Sequence, residues 1–138
     1  MPVFSARSRN NLQRVQPSLV RVLNEAIKNT PIDFTVVEGV RADQRQKELF
    51  AQGRTSPGKI VTQVDGVTKK SKHQKQSDGF SHAVDIYPYR NGSVQINDVQ
   101  SLKVIAKHIK EIAHSMGVKI SWGGDWKSFK DYPHFELL

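Results

Sequence analysis

The chain has 138 residues and no cysteine, and its 21 basic and 13 acidic residues give a net charge of +8 at pH 7. This length suits one domain with a hydrophobic core and is too short for a catalytic domain plus a separate binding module, so we expect a single domain over residues 1–138. A disulfide-built fold is excluded, and no apolar stretch approaches the roughly 20 residues of a membrane span. The charge favours anionic partners such as nucleic acid, membrane surfaces or envelope phosphates, without choosing among them.

The first predicted elements are helical. Apolar residues recur at helical spacing from Leu12 to Ile27, and Pro17 suits a helix start, so this region predicts one helix or two short ones. Residues 34–40 are rich in β-branched side chains and predict a strand, with Arg41 directly after it. Catalytic groups often follow a strand, so Arg41 is a candidate functional residue.

A further short helix is predicted after this strand, over Asp43 to Gln52, and Gly53 would end it. The connection that follows is long and contains the pair Asp65-Gly66, which favours a type I′ turn. We therefore predict a hairpin over Ile60 to Val67, placed beside the functional cleft.

Residues 81–87 alternate as a half-buried strand does. The alternation puts Asp85 on one face and His82 on the other. An aspartate inside the apolar run Ala83-Val84-Asp85-Ile86 is costly to bury unless it is paired or bound to a metal. Asp85 is therefore a candidate metal ligand, and His82 is predicted to point away from it.

The clearest helical pattern covers residues 97–116, with Gly117 as its stop. After a short strand near 118–122, Trp122 and Trp126 flank a Gly-Gly-Asp turn. These two aromatic side chains either pack in the core or at the rim of a groove, or they contact substrate, and Trp126 is the candidate contact.

A final strand over residues 133–138 would place His134 and Glu136 on one face and leave Asp131 in the turn before it. We expect an α+β fold in which helices pack on one side of a small antiparallel sheet and a metal site lies in a surface cleft. The expected strands lie near residues 34–40, 81–87, 118–122 and 133–137.

The joint occurrence of two histidines and two aspartates predicts a catalytic zinc site. His73, Asp85 and His134 supply three ligands, which leaves the fourth position of a tetrahedral zinc open for water. Water that attacks an amide also needs a carboxylate to take its proton and pass it to the leaving nitrogen. Asp131 is the candidate for that base. A lone histidine is more often a hydrogen-bonded loop residue, so the prediction depends on the whole set.

Two elements carry a family resemblance: Ser71-Lys72-His73 with Ala83-Val84-Asp85, and Asp131-Tyr132-Pro133-His134. They resemble the motifs of the zinc D,D-carboxypeptidase and L-alanyl-D-glutamate endopeptidase family, which includes VanY-like peptidases and many phage endolysins. The resemblance extends over residues 12–138 and is close in the closing stretch, 122–137. It implies a D,D-peptidase or Hedgehog-like fold.

The resemblance also implies roles for individual residues. His73, Asp85 and His134 match the family's three zinc ligands, and Asp131 matches its general base. Arg41 matches an arginine that polarises the scissile carbonyl or holds the substrate.

Two further positions follow from the same resemblance. Ser71 matches the motif serine, which hydrogen-bonds substrate or the ligand loop. Eleven residues separate His73 from Asp85, more than in the commonest form of the motif, so His82 is kept as the alternative ligand to His73.

The function implied is hydrolysis of peptidoglycan stem peptides by a monomeric enzyme with one Zn²⁺ ion, as in phage-driven host cell lysis. The L-Ala-D-Glu bond is the leading site of cleavage, and the terminal D-Ala-D-Ala bond is the alternative. The partner is peptidoglycan, with neither nucleic acid nor membrane insertion expected. Because the N-terminus lacks the apolar run of a secretory signal, we expect synthesis in the host cytoplasm and release to the wall through a separate pore.

Two explanations of other classes stay open. The charge and the lysines at 69, 70, 72 and 75 would suit a basic nucleic-acid-binding module. Such a charge run is usually a solvated face, and the chain has no recognisable RNA- or DNA-reading motif. The second explanation is a non-catalytic relative that keeps the fold and only binds the wall.

Overall fold

The computed structural model describes residues 2–138 as an α+β fold with helices and a small antiparallel sheet, as predicted. None of the helices in that range is long and apolar enough to cross a bilayer. In chain order the elements are α1 (Ala6–Asn11), α2 (Pro17–Lys28), β1 (Phe34–Glu38), α3 (Asp43–Ala51), β2 (Ala83–Arg90), β3 (Ser93–Val94), α4 (Val99–Ser115), β4 (Ile120–Trp122) and β5 (His134–Leu137).

The sheet has the strand order β1-β2-β5-β4, and the two-residue β3 pairs with the far end of β2. Every pairing is antiparallel. In the centre Val84 lies opposite Phe135, and Phe135 lies opposite Trp122 on the next strand. Since side chains alternate between the two faces of a sheet, this register gives the sheet one apolar face.

The hydrophobic core lies between that face and the two long helices. Val84, Ile86 and Phe135 are fully buried. They belong to one cluster with the buried faces of α2 and α4, so α2 and α4 cover one side of the sheet and leave the other available for polar side chains. The helical core residues are Leu19, Val22, Leu23, Ala26 and Ile27 of α2, and Ile105, Ala106, Ile109 and Ala113 of α4.

The ends of the long helices follow from local chemistry. Pro17 occupies the first turn of α2, as predicted. At the start of α4 the Asp98 carboxylate accepts a hydrogen bond from the Ser101 amide at 3.1 Å, which satisfies one free N–H of the first turn. Beyond the helix Gly117 has a φ of 70°, in the left-handed region that favours glycine.

The predicted hairpin over residues 60–67 is wrong. The structure has no strand there. Asp65 does form a turn, but its carboxylate accepts hydrogen bonds from the amides of Val67, Thr68 and Lys69. These side-chain bonds close the loop locally and compete with ladder pairing. Ile60 and Val67 are also more than half exposed, so burial does not favour a hairpin.

Two smaller differences concern element ends. α1, over residues 6–11, begins before the predicted N-terminal helical region. Its N-cap is Ser5, whose hydroxyl accepts a hydrogen bond from the Ser8 amide at 3.2 Å. The first strand ends at Glu38, two residues before the predicted end, and its register with β2 shifts between Val36 and Glu38.

The buried position of Phe135 gives a stability prediction. Phe135→Ala should lower the free energy of unfolding by about 3–5 kcal/mol, because it leaves a cavity between the sheet and the helices. Urea denaturation followed by circular dichroism measures the change. The matched control is Phe129→Ala, since Phe129 is 74 % exposed and its loss should change stability by about 0.5 kcal/mol or less. Equal effects of the two substitutions would contradict the packing described.

Candidate active site and metal centre

The pairing of β2 with β5 creates the site. Asp85 and His134 are direct partners in the antiparallel register, so their side chains project from the same face of the sheet. That face is opposite to the one covered by α2 and α4, because the neighbouring residues Val84 and Phe135 enter the core. The strands thus bring together two residues that lie 49 positions apart in the sequence.

His73 joins them from the loop before β2. Its carbonyl accepts a hydrogen bond from the Arg41 amide at 2.8 Å, and its own amide donates to the Ser71 hydroxyl at 3.1 Å. His73 Nε2 lies 3.2 Å from Asp85 Oδ1, and His134 Nδ1 lies 3.4 Å from the same oxygen. One ligand atom from each of the three side chains falls within 4.8 Å of the others, a group that could hold a metal ion.

The remaining nitrogen of each imidazole is fixed by a second contact. His73 Nδ1 lies 2.9 Å from the Gly39 carbonyl, which can only accept, so Nδ1 carries the proton. His134 Nε2 lies 2.7 Å from the Glu136 carboxylate in the same way. This leaves His73 Nε2 and His134 Nδ1, the two nitrogens that face Asp85, available as ligands. Outer contacts of this kind hold metal-binding imidazoles in one orientation, so the donor set fits a metal ion.

The charges within the group are strongly coupled. Burial disfavours the ionised form of Asp85, but the contacts with His134 and His73 outweigh it and hold the pKa of Asp85 well below its usual range. Burial also opposes a charge on His134, yet Asp85 and Glu136 raise the pKa of His134 to about 9. A metal ion bound at His134 Nδ1 takes the place of that proton.

Arg41 approaches Asp85 from the end of β1. Its Nε donates to the Glu38 carboxylate at 2.6 Å, and Nη1 donates to the Gln46 side-chain oxygen at 2.8 Å. These two contacts fix the plane of the guanidinium, and Nη2 lies 3.9 Å from Asp85 Oδ2. The side chain of Arg41 is 11 % exposed, so a fixed cation lies beside the histidine and aspartate group.

Gln46 was not predicted as a site residue. It is fully buried, and its amide nitrogen donates to the Val64 carbonyl at 2.7 Å, which ties α3 to the 62–66 connection. A Cβ on Gly66 would lie 2.7 Å from the Gln46 side chain, so a glycine is needed at position 66. The sequence of α3 has no apolar stripe, and its buried glutamine gives no hydrophobic signal.

Gln74 is a second buried glutamine that sequence patterns did not single out. Its side-chain oxygen accepts from the Ser71 amide at 2.9 Å, and its nitrogen donates to Asp43 at 2.8 Å and to the Gly66 carbonyl at 3.2 Å. Gln74 therefore joins the loop that carries His73 to the start of α3.

Asp131 lies in the turn before β5, at the edge of the group. Its amide donates to the Gly123 carbonyl at 3.1 Å, and its Oδ2 lies 3.9 Å from His134 Nδ1. A Cβ on Gly123 would lie 2.1 Å from the Asp131 carbonyl oxygen, so this turn requires glycine. Desolvation and the nearby Asp85 carboxylate raise the pKa of Asp131 above its ordinary value. Its side chain is 48 % exposed, so it faces solvent.

The other predicted site residues lie around this group. The Trp126 ring lies 5.2 Å from that of His134, and its Nε1 donates to the Ser121 hydroxyl. Ser71 lies in the turn that carries His73. His82, the alternative ligand, contacts Asp78 at 2.7 Å and is not part of the group that the structure brings together.

The metal-ligand assignment yields a prediction that needs no activity assay. His134→Ala removes one imidazole donor, so protein loaded with Zn²⁺ and then desalted should retain far less metal than the unsubstituted chain, by about tenfold or more. Inductively coupled plasma mass spectrometry gives the metal content. The control is His82→Ala, which removes a histidine outside the group and should keep full occupancy. Full zinc content in His134→Ala would exclude His134 as a ligand.

The sequence of this chain is similar to those of several known proteins. The sequence model of the phage L-alanyl-D-glutamate peptidase family matches residues 2–137. The chain is similar to the peptidoglycan L-alanyl-D-glutamate endopeptidase CwlK of Bacillus subtilis, with 37% identity over 121 residues that cover 84% of this chain and 67% of CwlK. It is 30% identical to the L-alanyl-D-glutamate peptidase of Escherichia phage T5 over 134 residues, 97% of this chain and 88% of that one.

A solved structure is similar to this chain in both fold and sequence. The crystal structure of the Serratia marcescens L-Ala D-Glu endopeptidase ChiX superposes with a TM-score of 0.80 at 34% sequence identity, over 98% of this chain and 89% of that chain. At this identity the likeness covers the sequence as well as the α+β architecture.

Proposed function

The chain belongs to the phage L-alanyl-D-glutamate peptidase family, and on that basis we propose that it is a zinc peptidase that cleaves the L-Ala-D-Glu bond of peptidoglycan stem peptides. The observation that carries the proposal is the convergence of His73, Asp85 and His134, with Asp131 and Arg41 at the edges of the same group. Each of the named relatives is an L-Ala-D-Glu peptidase or endopeptidase.

Zinc is the metal that best suits the donors. Two imidazole nitrogens and one carboxylate oxygen form a three-ligand set of the kind found in catalytic zinc sites. We propose that His73 Nε2, Asp85 and His134 Nδ1 hold the ion. A zinc ion there supplies Lewis acidity that activates water and polarises a carbonyl. The Gly39 carbonyl and the Glu136 carboxylate hold the outer nitrogens of His73 and His134, and so keep the two inner nitrogens, the proposed ligand atoms, facing Asp85.

Asp131 is proposed as the general base. It lies at the solvent-facing edge of the group, 3.9 Å from His134. A carboxylate there can take the proton of the attacking water and return it to the amide nitrogen that leaves. Its raised pKa, caused by desolvation and by Asp85, makes it a better proton acceptor than an ordinary aspartate.

Arg41 is proposed to stabilise the oxyanion or to hold the scissile carbonyl. Glu38 and Gln46 fix its guanidinium before substrate arrives, and preorganised donors lower the barrier more than mobile ones. Gln46 is then a positioning residue that acts through Arg41.

The proposed biological role also rests on the family to which the chain belongs. We propose that residues 2–137, the range matched by the family, act as one catalytic unit on peptidoglycan during host cell lysis, as a monomer that reaches the wall through a separate pore. A terminal D-Ala-D-Ala carboxypeptidase is the alternative within the same chemistry. Trp126 beside His134 and Ser71 beside His73 are the candidate substrate contacts.

A synthetic stem peptide distinguishes the two bonds. Incubation of L-Ala-γ-D-Glu-L-Lys-D-Ala-D-Ala with the zinc-loaded protein should release free L-alanine and a tetrapeptide with a new D-glutamyl N-terminus, detected by mass spectrometry. Release of D-alanine alone would move the activity to the alternative bond. No product from this peptide or from purified peptidoglycan would overturn the proposed activity.

Substitution of the proposed base separates chemistry from metal binding. Asp131→Ala should keep its zinc and lower kcat by about 10²- to 10⁴-fold, because no other carboxylate takes its place in proton transfer. Metal content and peptide turnover are measured on the same sample. Glu25→Ala, which removes an exposed carboxylate on α2, should leave both values unchanged. Turnover of Asp131→Ala at the unsubstituted rate would remove Asp131 from the mechanism.

The positioning role of Gln46 predicts a specific kinetic change. Gln46→Met keeps the side-chain length but no longer accepts from Arg41, so kcat should fall by about 10- to 100-fold with a smaller change in KM. Zinc content should stay the same. Gln52→Met is the control, because the Gln52 side chain bonds the Lys59 carbonyl and not Arg41. Unchanged kcat in Gln46→Met would contradict the role.

A further inference from the structure

A groove on the helical side of the protein is unrelated to the metal ligands. It has a volume of about 370 Å³ and lies between the exposed stripe of α4 and the start of the turn after β4. The buried ring of Trp122 lines it, and the other lining side chains are mainly cationic or titratable: Lys103, Lys107, Lys110, Glu111 and His114.

The lysines of this groove follow one helical stripe. Lys103, Lys107 and Lys110 are spaced by four and three residues, so they are neighbours on the surface of α4. Like charges at this spacing destabilise a helix by roughly 0.2–0.5 kcal/mol per pair. The helix dipole favours cations only near the last turn, and α4 continues to Ser115, so it does not account for Lys103 and Lys107.

Nearby carboxylates neutralise only part of this charge. Lys110 bonds Asp125 at 2.8 Å and lies 5.6 Å from the Trp122 ring. Glu111 is the one acidic side chain that lines the groove. Three lysines and one carboxylate therefore line the groove, and Asp125 offsets the charge of Lys110 from outside it, which leaves a net positive surface.

One short turn joins this groove to the catalytic side. Its residues, Gly123–Asp125, form a 3-10 turn after β4. On one side Asp125 contacts Lys110. On the other side Gly123 accepts the amide of Asp131, and the next residue, Trp126, packs against His134. The same short segment thus contacts α4 on one side and the catalytic group on the other.

We propose that this groove binds a phosphodiester-linked anionic glycopolymer attached to peptidoglycan, and so holds the enzyme on its substrate. The choice of a wall polymer rests on the proposed function. Lysine ammonium groups suit phosphates as point charges, and the apolar floor of Trp122 lowers the local dielectric and strengthens the attraction.

The lining disfavours single-stranded nucleic acid as the ligand. Trp122 is only 7 % exposed, so its ring offers no free face on which a base could stack. Lysines also bind the phosphates of duplex DNA, so duplex DNA is used as a competitor in the test.

Binding to walls, rather than cleavage, tests the proposal. The protein is used as Asp131→Ala, so the result does not depend on turnover, and binding is measured by co-sedimentation in about 0.1 M salt, where exposed charges beyond about 10 Å are largely screened. The probes are purified Gram-positive walls with their phosphodiester polymer intact, and the same walls after hydrofluoric acid has removed it. Lys103→Glu with Lys107→Glu is compared with Arg7→Glu with Arg21→Glu, two exposed cations outside the groove whose replacement gives the same charge change.

Intact walls should bind the parent protein and the Arg7/Arg21 variant equally, and the Lys103/Lys107 variant about tenfold more weakly. Stripped walls should bind all three proteins weakly. Equal losses of binding in both variants would mean that net charge, and not the groove, determines binding, and would overturn the proposal. Unchanged binding of the Lys103/Lys107 variant to intact walls would overturn it too. So would unchanged binding of the parent protein to stripped walls. Competition by duplex DNA as strong as by the free polymer would also overturn it. Thermal unfolding of each variant verifies that it is folded. Failure of the proposed peptidase activity would appear in the stem-peptide assay and leave this result unaffected.

Discussion

The antiparallel pairing of β2 with β5 is the constraint on which the rest of the site depends. It sets Asp85 opposite His134 on one face and Val84 opposite Phe135 on the other. Because side chains alternate with a period of two, a shift of one residue would expose the core pair and bury the polar pair. The hydrophobic face therefore fixes the register, and the register fixes the site. Burial of Phe135 between the sheet and the helices thus fixes a group that could hold a metal ion, although Phe135 is not a member of that group.

A carboxylate as enclosed as Asp85 is costly to bury without polar or charged partners, and the structure provides them from three directions. His73 and His134 contact one of its oxygens, and Arg41 approaches the other. Each of these partners is in turn held by a group outside the site: Gly39 for His73, Glu136 for His134, and Glu38 with Gln46 for Arg41. This outer layer explains how a small domain keeps a preformed site.

Sequence patterns could predict the elements with strong periodicity and the residues with distinctive chemistry. The 3.6-residue period identified α2 and α4, and the prediction that His82 lies apart from Asp85 agrees with its contact with Asp78 outside the group. The loop between α3 and β2 could not be predicted in this way. Its turn at Asp65 was visible, but the absence of flanking strands follows from side-chain capping and exposure. The burial of Gln46 and Gln74 could not be predicted from sequence patterns either. It depends on side-chain hydrogen bonds between segments distant in sequence and not on an apolar pattern.

The measurement that tests the central claim most directly is a chelation cycle that follows metal content and peptidoglycan cleavage together. Protein is stripped with a chelator, zinc is returned in steps, and each sample is assayed while X-ray absorption at the zinc edge reports the ligands. The account predicts that cleavage disappears with the metal and returns in proportion to zinc, up to one ion per chain, with two imidazoles and a carboxylate in the ligand shell. Full cleavage by metal-free protein, or zinc without imidazole ligands, would contradict it.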